Sequence, residues 1–214
     1  NNYSVWGRYT NVERYAEGRQ IAVVMISGEN KDYQNQEDGS GRFSSGDRHF
    51  DFLSKEVPEF VKANFPVSGR PEDTYIAGLS MGSMGSLVHS LTNPEMYRAV
   101  GSFSGPLMRM DIDRSKSYTE EELAGMVNPL AVELVQKAKA EGKKFPDYYI
   151  STGLKDGPDR AKAFAKFLSD NGIKVTTNFE KDYGHEWRCW EENIEEFLDW
   201  LPRTDAYAGS MRQI

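Results

Sequence analysis

The sequence predicts an α/β protein with a mostly parallel sheet flanked by helices. Two observations predict this class. Short apolar runs of strand length alternate along the chain with longer segments whose apolar residues recur at helical spacing. Some of these runs are almost continuously apolar, as in residues 20–26 (QIAVVMI), which is typical of strands buried on both faces of a sheet. With 214 residues and no repeat or linker to divide them, residues 1–214 are expected to form one domain.

In the first part of the chain, helical and strand patterns surround one long polar segment. Residues 6–17 have helical spacing, and residues 20–26 form the first predicted strand. Residues 27–47 are polar and rich in Gly, Ser and Asn, which predicts a long loop. Residues 48–65 are helical in pattern, and Pro58 is expected to kink this helix or to lie near a turn within it.

From residue 74 onwards, predicted strands and helices alternate more regularly. The predicted strands are residues 74–79, 99–104, 147–152 and 173–179. The predicted helices are residues 81–92, 130–140, 158–171 and 186–201. The third of these helices ends at Asn171 and Gly172, which form a helix stop signal. The last helix has one apolar face, formed by Trp190, Ile194, Phe197, Leu198 and Leu201.

Charge and composition narrow the classes of partner. The net charge of −7 argues against nucleic acid, because phosphate binding needs a positive face. No run approaches ~18 apolar residues, so no membrane span is expected. Cys189 is the only cysteine, which favours a reducing, cytoplasmic compartment, with secretion as the alternative. The histidines are scattered and the carboxylates show no ligand spacing, so we expect no metal and no other cofactor.

Residues 78–82 (GLSMG) match the pattern G-x-S-x-G at the point where a predicted strand ends and a helix begins. A serine on such a tight turn has strained backbone angles and an exposed hydroxyl, which makes Ser80 the candidate nucleophile. Gly78 and Gly82 would let the strand and the helix approach closely. The backbone N–H of Met81, at a helix N-terminus, is the candidate donor to an oxyanion. The alternative is a glycine-rich turn without chemistry.

A serine hydroxyl needs a base to remove its proton, and three histidines are available. With this kind of turn the chain order is serine, acid, histidine, and only His185 follows a plausible acid. His89 lies inside the helix that follows Ser80, which carries its side chain away from the turn. His49 comes at the start of a helix after the polar loop and is expected at the surface.

Asp156 is the preferred acid. It follows the predicted strand 147–152, at the carboxyl end where open α/β sheets place their sites. Its role would be to orient His185 and to stabilise the imidazolium. Asp182, close to His185 in sequence, stays the alternative, whereas Asp159 is expected in the first turn of the next helix.

Substrate-binding residues are expected in the two irregular segments and next to the histidine. Residues 105–112 could line an acyl pocket, with Leu107 and Met108 as candidates, or form a lid that packs on the sheet. Phe43 in the polar loop and Trp187 are further candidates for pocket walls. For Trp187, core packing of the last helix is the favoured alternative.

Three segments together resemble the esterase D-like putative esterase family. They are residues 78–82 (GLSMG), residues 8–16 (RYTNVERYA) and residues 184–190 (GHEWRCW). The family includes tributyrin-type and other short-chain esterases, feruloyl and acetylxylan esterases, S-formylglutathione hydrolases and mycolyltransferases. The resemblance covers nearly the whole chain and is weakest at residues 27–47 and 105–146.

The resemblance implies an α/β-hydrolase fold and hydrolysis of short-chain acyl or aryl-acyl esters without a cofactor. By position, Ser80 matches the family nucleophile, Asp156 the acid and His185 the base. A small-molecule ester is the expected partner. Acyl transfer to a sugar or thiol acceptor is an alternative activity, and a non-catalytic binding module or inactive fragment is an alternative from another class.

The chain departs from the family pattern at two places. Ser83 replaces the last glycine of the family's G-L-S-M-G-G, and its small side chain is compatible with close packing. Members of the family also carry two or three strands before the segment that matches residues 8–16, and the last of these strands ends in a turn with a second oxyanion N–H. We therefore expect an N-terminally incomplete sheet, with a segment absent from this sequence, cleaved, or supplied by a second chain. A homo-oligomer is compatible with this expectation.

Overall fold

A computed structural model describes residues 2–28, 33, 35, 48–113 and 116–203. Its central element is a four-stranded sheet with the strand order β1-β2-β3-β4, in which every neighbouring pair is parallel. The strands are β1 (Tyr75–Leu79), β2 (Ala99–Phe103), β3 (Asp147–Ser151) and β4 (Val175–Asn178). The α/β class and the parallel sheet flanked by helices are therefore confirmed.

Helices precede, connect and follow the strands. The α-helices are α1 (Val5–Tyr9), α2 (Val12–Glu17), α3 (His49–Asp51), α4 (Val57–Asn64), α5 (Met81–Thr92), α6 (Glu120–Ala124), α7 (Pro129–Ala140), α8 (Pro158–Asp170) and α9 (Trp187–Trp200). A π-helical turn (Phe52–Glu56) joins α3 to α4, and short 3-10 turns cover Pro71–Asp73 and Pro94–Met96.

The core lies in two apolar clusters, one on each face of the sheet. Side chains of a strand alternate between faces, so Val100 of β2 joins the cluster under α5, α7 and α8, whereas Ala99 and Phe103 join the cluster under α2 and α9. All five residues of β2 and of β3 are buried. Burial on both faces explains why apolar residues occupy adjacent positions in these strands, as in Ala99-Val100 and Tyr148–Ile150.

The predicted strand at residues 20–26 is wrong. This segment is irregular, and no strand among the described residues pairs with it. Ile21 and Met25 pack against the cluster under α9, whereas Val23 and Val24 are 40% and 48% exposed. Apolar residues alone do not make a strand, because a strand also needs a hydrogen-bonded neighbour, which this segment lacks within the described part of the chain.

Two predicted helical segments are more broken than their periodicity suggests, and the irregular segment 105–146 holds one helix beyond the predicted one at residues 130–140. The helix at residues 6–17 is interrupted at Thr10, whose backbone is extended. In the segment 48–65, Pro58 lies in the first turn of α4, directly after the π-helical turn, where its missing N–H is tolerated. The irregular segment 105–146 contains α6, which begins with a capping box between Thr119 and Glu122.

Candidate active site

Ser80 lies on a tight turn between β1 and α5. Its backbone has φ 52° and ψ −118°, a conformation that a residue other than glycine rarely adopts. The turn is close because Gly78 packs on the backbone of Gly82: a Cβ on Gly78 would lie 2.2 Å from the Gly82 carbonyl oxygen. Ser80 N–H donates to the carbonyl oxygen of Phe103 at 2.8 Å, which ties the turn to β2.

Met81 is the first residue of α5. The N–H groups in the first turn of a helix have no partner within that helix, and the helix dipole places partial positive charge there. Met81 directly follows Ser80 in the chain. Its N–H therefore lies at the N-terminus of α5, which is the location that the sequence predicts.

The structure brings Ser80, His185 and Asp156 together. His185 Nε2 lies 3.0 Å from Ser80 Oγ, and His185 Nδ1 lies 2.9 and 3.2 Å from the two carboxylate oxygens of Asp156. Each residue follows the carboxyl end of a strand, at one edge of the sheet: Ser80 after β1, Asp156 after β3 and His185 after β4. Parallel strands place such segments side by side.

The Asp156 carboxylate is half-buried and has several hydrogen-bond donors. Burial works against its charged form, but hydrogen bonds from His185, Ser104 and Thr152 outweigh burial and hold the pKa of Asp156 below its ordinary value. Thr152 Oγ1 lies 3.2 Å from one carboxylate oxygen. At neutral pH the side chain is a carboxylate that accepts the Nδ1 proton of His185.

The alternative acid, Asp182, lies elsewhere. Its carboxylate is 2.9 Å from Lys155 Nζ, and both side chains are exposed. The loop that carries Asp182 reaches His185 in sequence but presents this side chain to Lys155.

The other two histidines lie away from Ser80. His89 is fully buried in α5, where Nε2 is 2.9 Å from the carbonyl oxygen of Tyr33 and the ring stacks on Phe50. The expectation that His49 lies at the surface is wrong, because its side chain packs against the rings of Tyr33 and Phe52 and is only 8% exposed.

A cavity of about 120 Å³ opens beside Ser80 and His185. Its apolar walls come from α5 and from the segment after β2, and they include Met84, Pro106, Met108, Met110 and Ile112. The polar part of the wall includes Ser104, Thr152, Arg109 and Arg160. Residues from the segment 105–112 therefore line the cavity, while Leu107 and Met108 also pack in the core cluster under α5.

The candidate pocket residues occupy different places. Met108 lines the cavity, whereas Leu107 is 2% exposed and belongs to the core cluster under α5. Trp187 stacks on Tyr9 with ring centroids 4.8 Å apart and meets Trp6 edge-on, so it packs α9 against α1 and is not part of the cavity wall. Phe43 lies outside the described residues.

Ser104 is a site residue that the sequence patterns do not single out. It follows β2 directly, has φ 56°, and its Oγ accepts a hydrogen bond from Trp190 Nε1 at 3.0 Å. The available signal is its place at the carboxyl end of a predicted strand, the same signal that selects Asp156. A lone serine in such a place is too common to be chosen without the structure.

Two further features of the described residues concern metal ions and membranes. Within the described residues, no group of three or more His, Cys, Asp or Glu side chains could hold a metal ion. No helix in that part of the chain is long and apolar enough to cross a membrane.

Comparison with known proteins connects this geometry to a family. The model of the family "Putative esterase" matches residues 4–201. An acetyl esterase of Caldicellulosiruptor saccharolyticus is 27% identical over 219 residues, which cover 95% of this chain and 80% of that protein.

Solved structures show the same fold. The fluorophosphonate-binding serine hydrolase FphF of Staphylococcus aureus superposes with a TM-score of 0.76 at 24% identity, covering 94% of this chain and 79% of that one. The S-formylglutathione hydrolase FrmB of Staphylococcus aureus superposes with a TM-score of 0.73 at 22% identity, covering 94% and 76%. The fold is therefore that of the α/β-hydrolases. Because the family model matches nearly the whole chain, the protein belongs to the putative esterase family and is a carboxylic ester hydrolase.

Proposed function

We propose that this chain hydrolyses short-chain acyl or aryl-acyl esters, with Ser80 as nucleophile, His185 as general base and Asp156 as the acid that orients the base. The observation that carries the proposal is the continuous contact from Ser80 Oγ through both ring nitrogens of His185 to the Asp156 carboxylate. Nucleophile and base are within hydrogen-bond distance, and a third group orients the base, as this chemistry requires.

The first half of the reaction is acylation. The Asp156 carboxylate keeps the proton of His185 on Nδ1, which leaves Nε2 free to accept the proton of Ser80. Ser80 Oγ attacks the ester carbonyl carbon, and the carbonyl oxygen becomes an oxyanion near the Met81 N–H. His185 then donates the proton to the leaving alcohol, and the acyl group stays on Ser80.

The second half is hydrolysis of the acyl-enzyme. The His185 side chain is 44% exposed, so water can approach Nε2 from solvent. His185 removes a proton from this water as it attacks the acyl carbon, and the proton then returns to Ser80 Oγ.

The cavity favours a short acyl group. Its volume of about 120 Å³ is small, and Met84, Met108 and Met110 give it apolar, adaptable walls. A small cavity discriminates by the size of the group that it must hold. The relative named an acetyl esterase is consistent with such a substrate.

Hydrolysis of p-nitrophenyl esters of increasing chain length tests the proposal. We expect kcat/KM to be highest for acetate to butyrate, to fall for octanoate, and to be lost in Ser80→Ala. The feruloyl ester tests the aryl-acyl class, and added sugar or thiol acceptors that divert acyl groups from water would indicate a transferase. Folded wild-type protein that turns over none of these esters would contradict the proposal and favour a binding module.

A further inference from the structure

We infer that Ser104 is a positioning residue, whose hydroxyl, oriented by the indole N–H of Trp190, holds the Asp156 carboxylate in the orientation that His185 needs. This inference rests on the proposed function of the three site residues. It is carried by the backbone of Ser104, by the number of protons available to the side chains around it, and by the contacts of Trp190 with Ser104 and His185.

The backbone of Ser104 is held in a strained conformation between the nucleophile and the acid. Its φ of 56° lies in the left-handed region, which it shares with Ser80. On one side, Ser104 N–H donates to the carbonyl oxygen of Ser151, at the end of β3, at 2.9 Å. On the other, a Cβ on Gly105 would lie 2.2 Å from the Ser80 carbonyl oxygen. A strained backbone of this kind persists only where the surrounding contacts hold it in place.

The number of protons limits where the Ser104 hydroxyl can point. An indole N–H can only donate, so Trp190 Nε1, 3.0 Å away, makes Ser104 Oγ an acceptor. Thr152 has one hydroxyl proton, and its Oγ1 is closer to Asp156, at 3.2 Å, than to Ser104 Oγ, at 3.4 Å. The Ser104 proton is then available either to Thr152 Oγ1 or to the carboxylate. A hydrogen bond from Ser104 is the second, after that from His185, of those that lower the pKa of Asp156.

Trp190 connects this hydroxyl to the base. Its ring meets the His185 ring edge-on, at 87° and with 4.9 Å between centroids, while its N–H donates to Ser104. The side chain is 6% exposed and packs in the core cluster under α9, so its position is set by the fold. One rigid indole therefore contacts the ring of the base and the hydroxyl next to the acid, and it sets their relative orientation.

Two substitutions remove the hydrogen bond between Trp190 and Ser104, one on the acceptor side and one on the donor side. Ser104→Ala removes the hydroxyl, and Trp190→Phe removes the indole N–H but keeps an aromatic ring beside His185. We expect each to lower kcat by roughly 10-fold to 100-fold with little change in KM, the loss typical of one hydrogen bond to a charged group. The double variant should lose little more than either single one, because both changes break the same interaction.

Two controls separate positioning from folding. Trp200→Phe is matched to Trp190→Phe because both tryptophans lie on α9 and both donate an indole N–H to a hydroxyl. The acceptor of Trp200 Nε1 is the Thr176 hydroxyl on β4, at 3.1 Å and away from Ser80. It should keep wild-type kcat. Ser104→Gly relieves the left-handed backbone but removes the hydroxyl, so it should be as slow as Ser104→Ala while being at least as stable. Wild-type kcat in Ser104→Ala, or recovery of kcat in Ser104→Gly, overturns the inference.

A measurement without turnover tests the inference apart from the proposed function. In the Ser80→Ala background, carbon NMR of the Asp156 carboxyl group gives its titration midpoint. Loss of a hydrogen bond to the carboxylate should move this midpoint to higher pH in Ser104→Ala and Trp190→Phe, but not in Trp200→Phe. An unmoved midpoint overturns the role of Ser104 even if the protein is an esterase. Absence of Ser80-dependent turnover with a moved midpoint counts against the proposed function alone.

Discussion

The hydroxyl groups of Ser83 and Ser102 form a hydrogen bond of 2.7 Å between α5 and β2, in the interior of the protein. Ser83 is fully buried and Ser102 is 1% exposed. Ser83 Oγ also donates to the carbonyl oxygen of Gly105 at 2.9 Å, next to the cavity. The serine that replaces the family glycine thus fastens the helix of the nucleophile to the neighbouring strand and loop.

Replacing Ser83 should therefore destabilise the protein. Ser83→Ala leaves the Ser102 hydroxyl and the Gly105 carbonyl without this partner, and we expect a loss of about 1–3 kcal/mol in the free energy of unfolding. Urea denaturation measures it. Ser83→Ala with Ser102→Ala should cost less than the sum of the single changes. An additive double variant would show that the two hydroxyls do not stabilise each other.

The two glycines of the turn should differ in their tolerance of a side chain. A Cβ on Gly78 would lie 2.2 Å from the Gly82 carbonyl, whereas a Cβ on Gly82 meets nothing closer than the Tyr33 hydroxyl, at 3.8 Å. Gly78→Ala should therefore cost about 1–3 kcal/mol of stability and distort the turn at Ser80. Gly82→Ala should fold normally, because alanine favours the helix that it enters. Thermal unfolding of both variants checks the order, and equal melting temperatures would contradict it.

The two candidate acids allow a paired test, because Asp→Asn removes one negative charge at either position. Asp156→Asn replaces the carboxylate beside His185 Nδ1 and should lower kcat by a factor on the order of 10⁴, as asparagine does at this place in a catalytic triad. Asp182→Asn breaks only the exposed pair with Lys155 and should keep wild-type kcat. Steady-state kinetics with p-nitrophenyl butyrate measures both. A larger loss of kcat in Asp182→Asn than in Asp156→Asn would show that Asp182 is the acid and would contradict the role given to Asp156.

The pH dependence of stability should depend on Asp51, at the start of the long helical segment. Hydrogen bonds from Lys55 and Arg48 lower the pKa of this carboxyl from 3.8 to about 2. A carboxyl with a depressed pKa in the folded state stabilises the protein above about pH 4, and this contribution is lost as the pH falls towards 2. The stability difference between wild type and Asp51→Asn should therefore shrink between these values. Urea midpoints from pH 7 down to 2 measure it, and a constant difference would contradict the account.

The strand-by-strand pattern predicts the four strands of the sheet and the meeting of Ser80, Asp156 and His185. In a parallel sheet the carboxyl ends of strands share an edge, so residues that follow β1, β3 and β4 must lie close together. Burial patterns could not predict pairing, which is why residues 20–26 looked like a strand. Contacts between segments far apart in the chain could not be predicted from the sequence either. Examples are the rings that cover His49 and the indole that orients Ser104.

Covalent labelling of Ser80 tests the central proposal most directly. A fluorophosphonate reacts with a serine only when a base activates its hydroxyl, so the wild-type protein should gain one adduct on the peptide that contains Ser80. Peptide mass spectrometry locates it. The account predicts that Ser80→Ala gains no adduct and that Asp156→Asn gains it far more slowly. Folded wild-type protein that stays unlabelled at Ser80, or that is labelled at another serine, would contradict the assignment of Ser80 as the nucleophile.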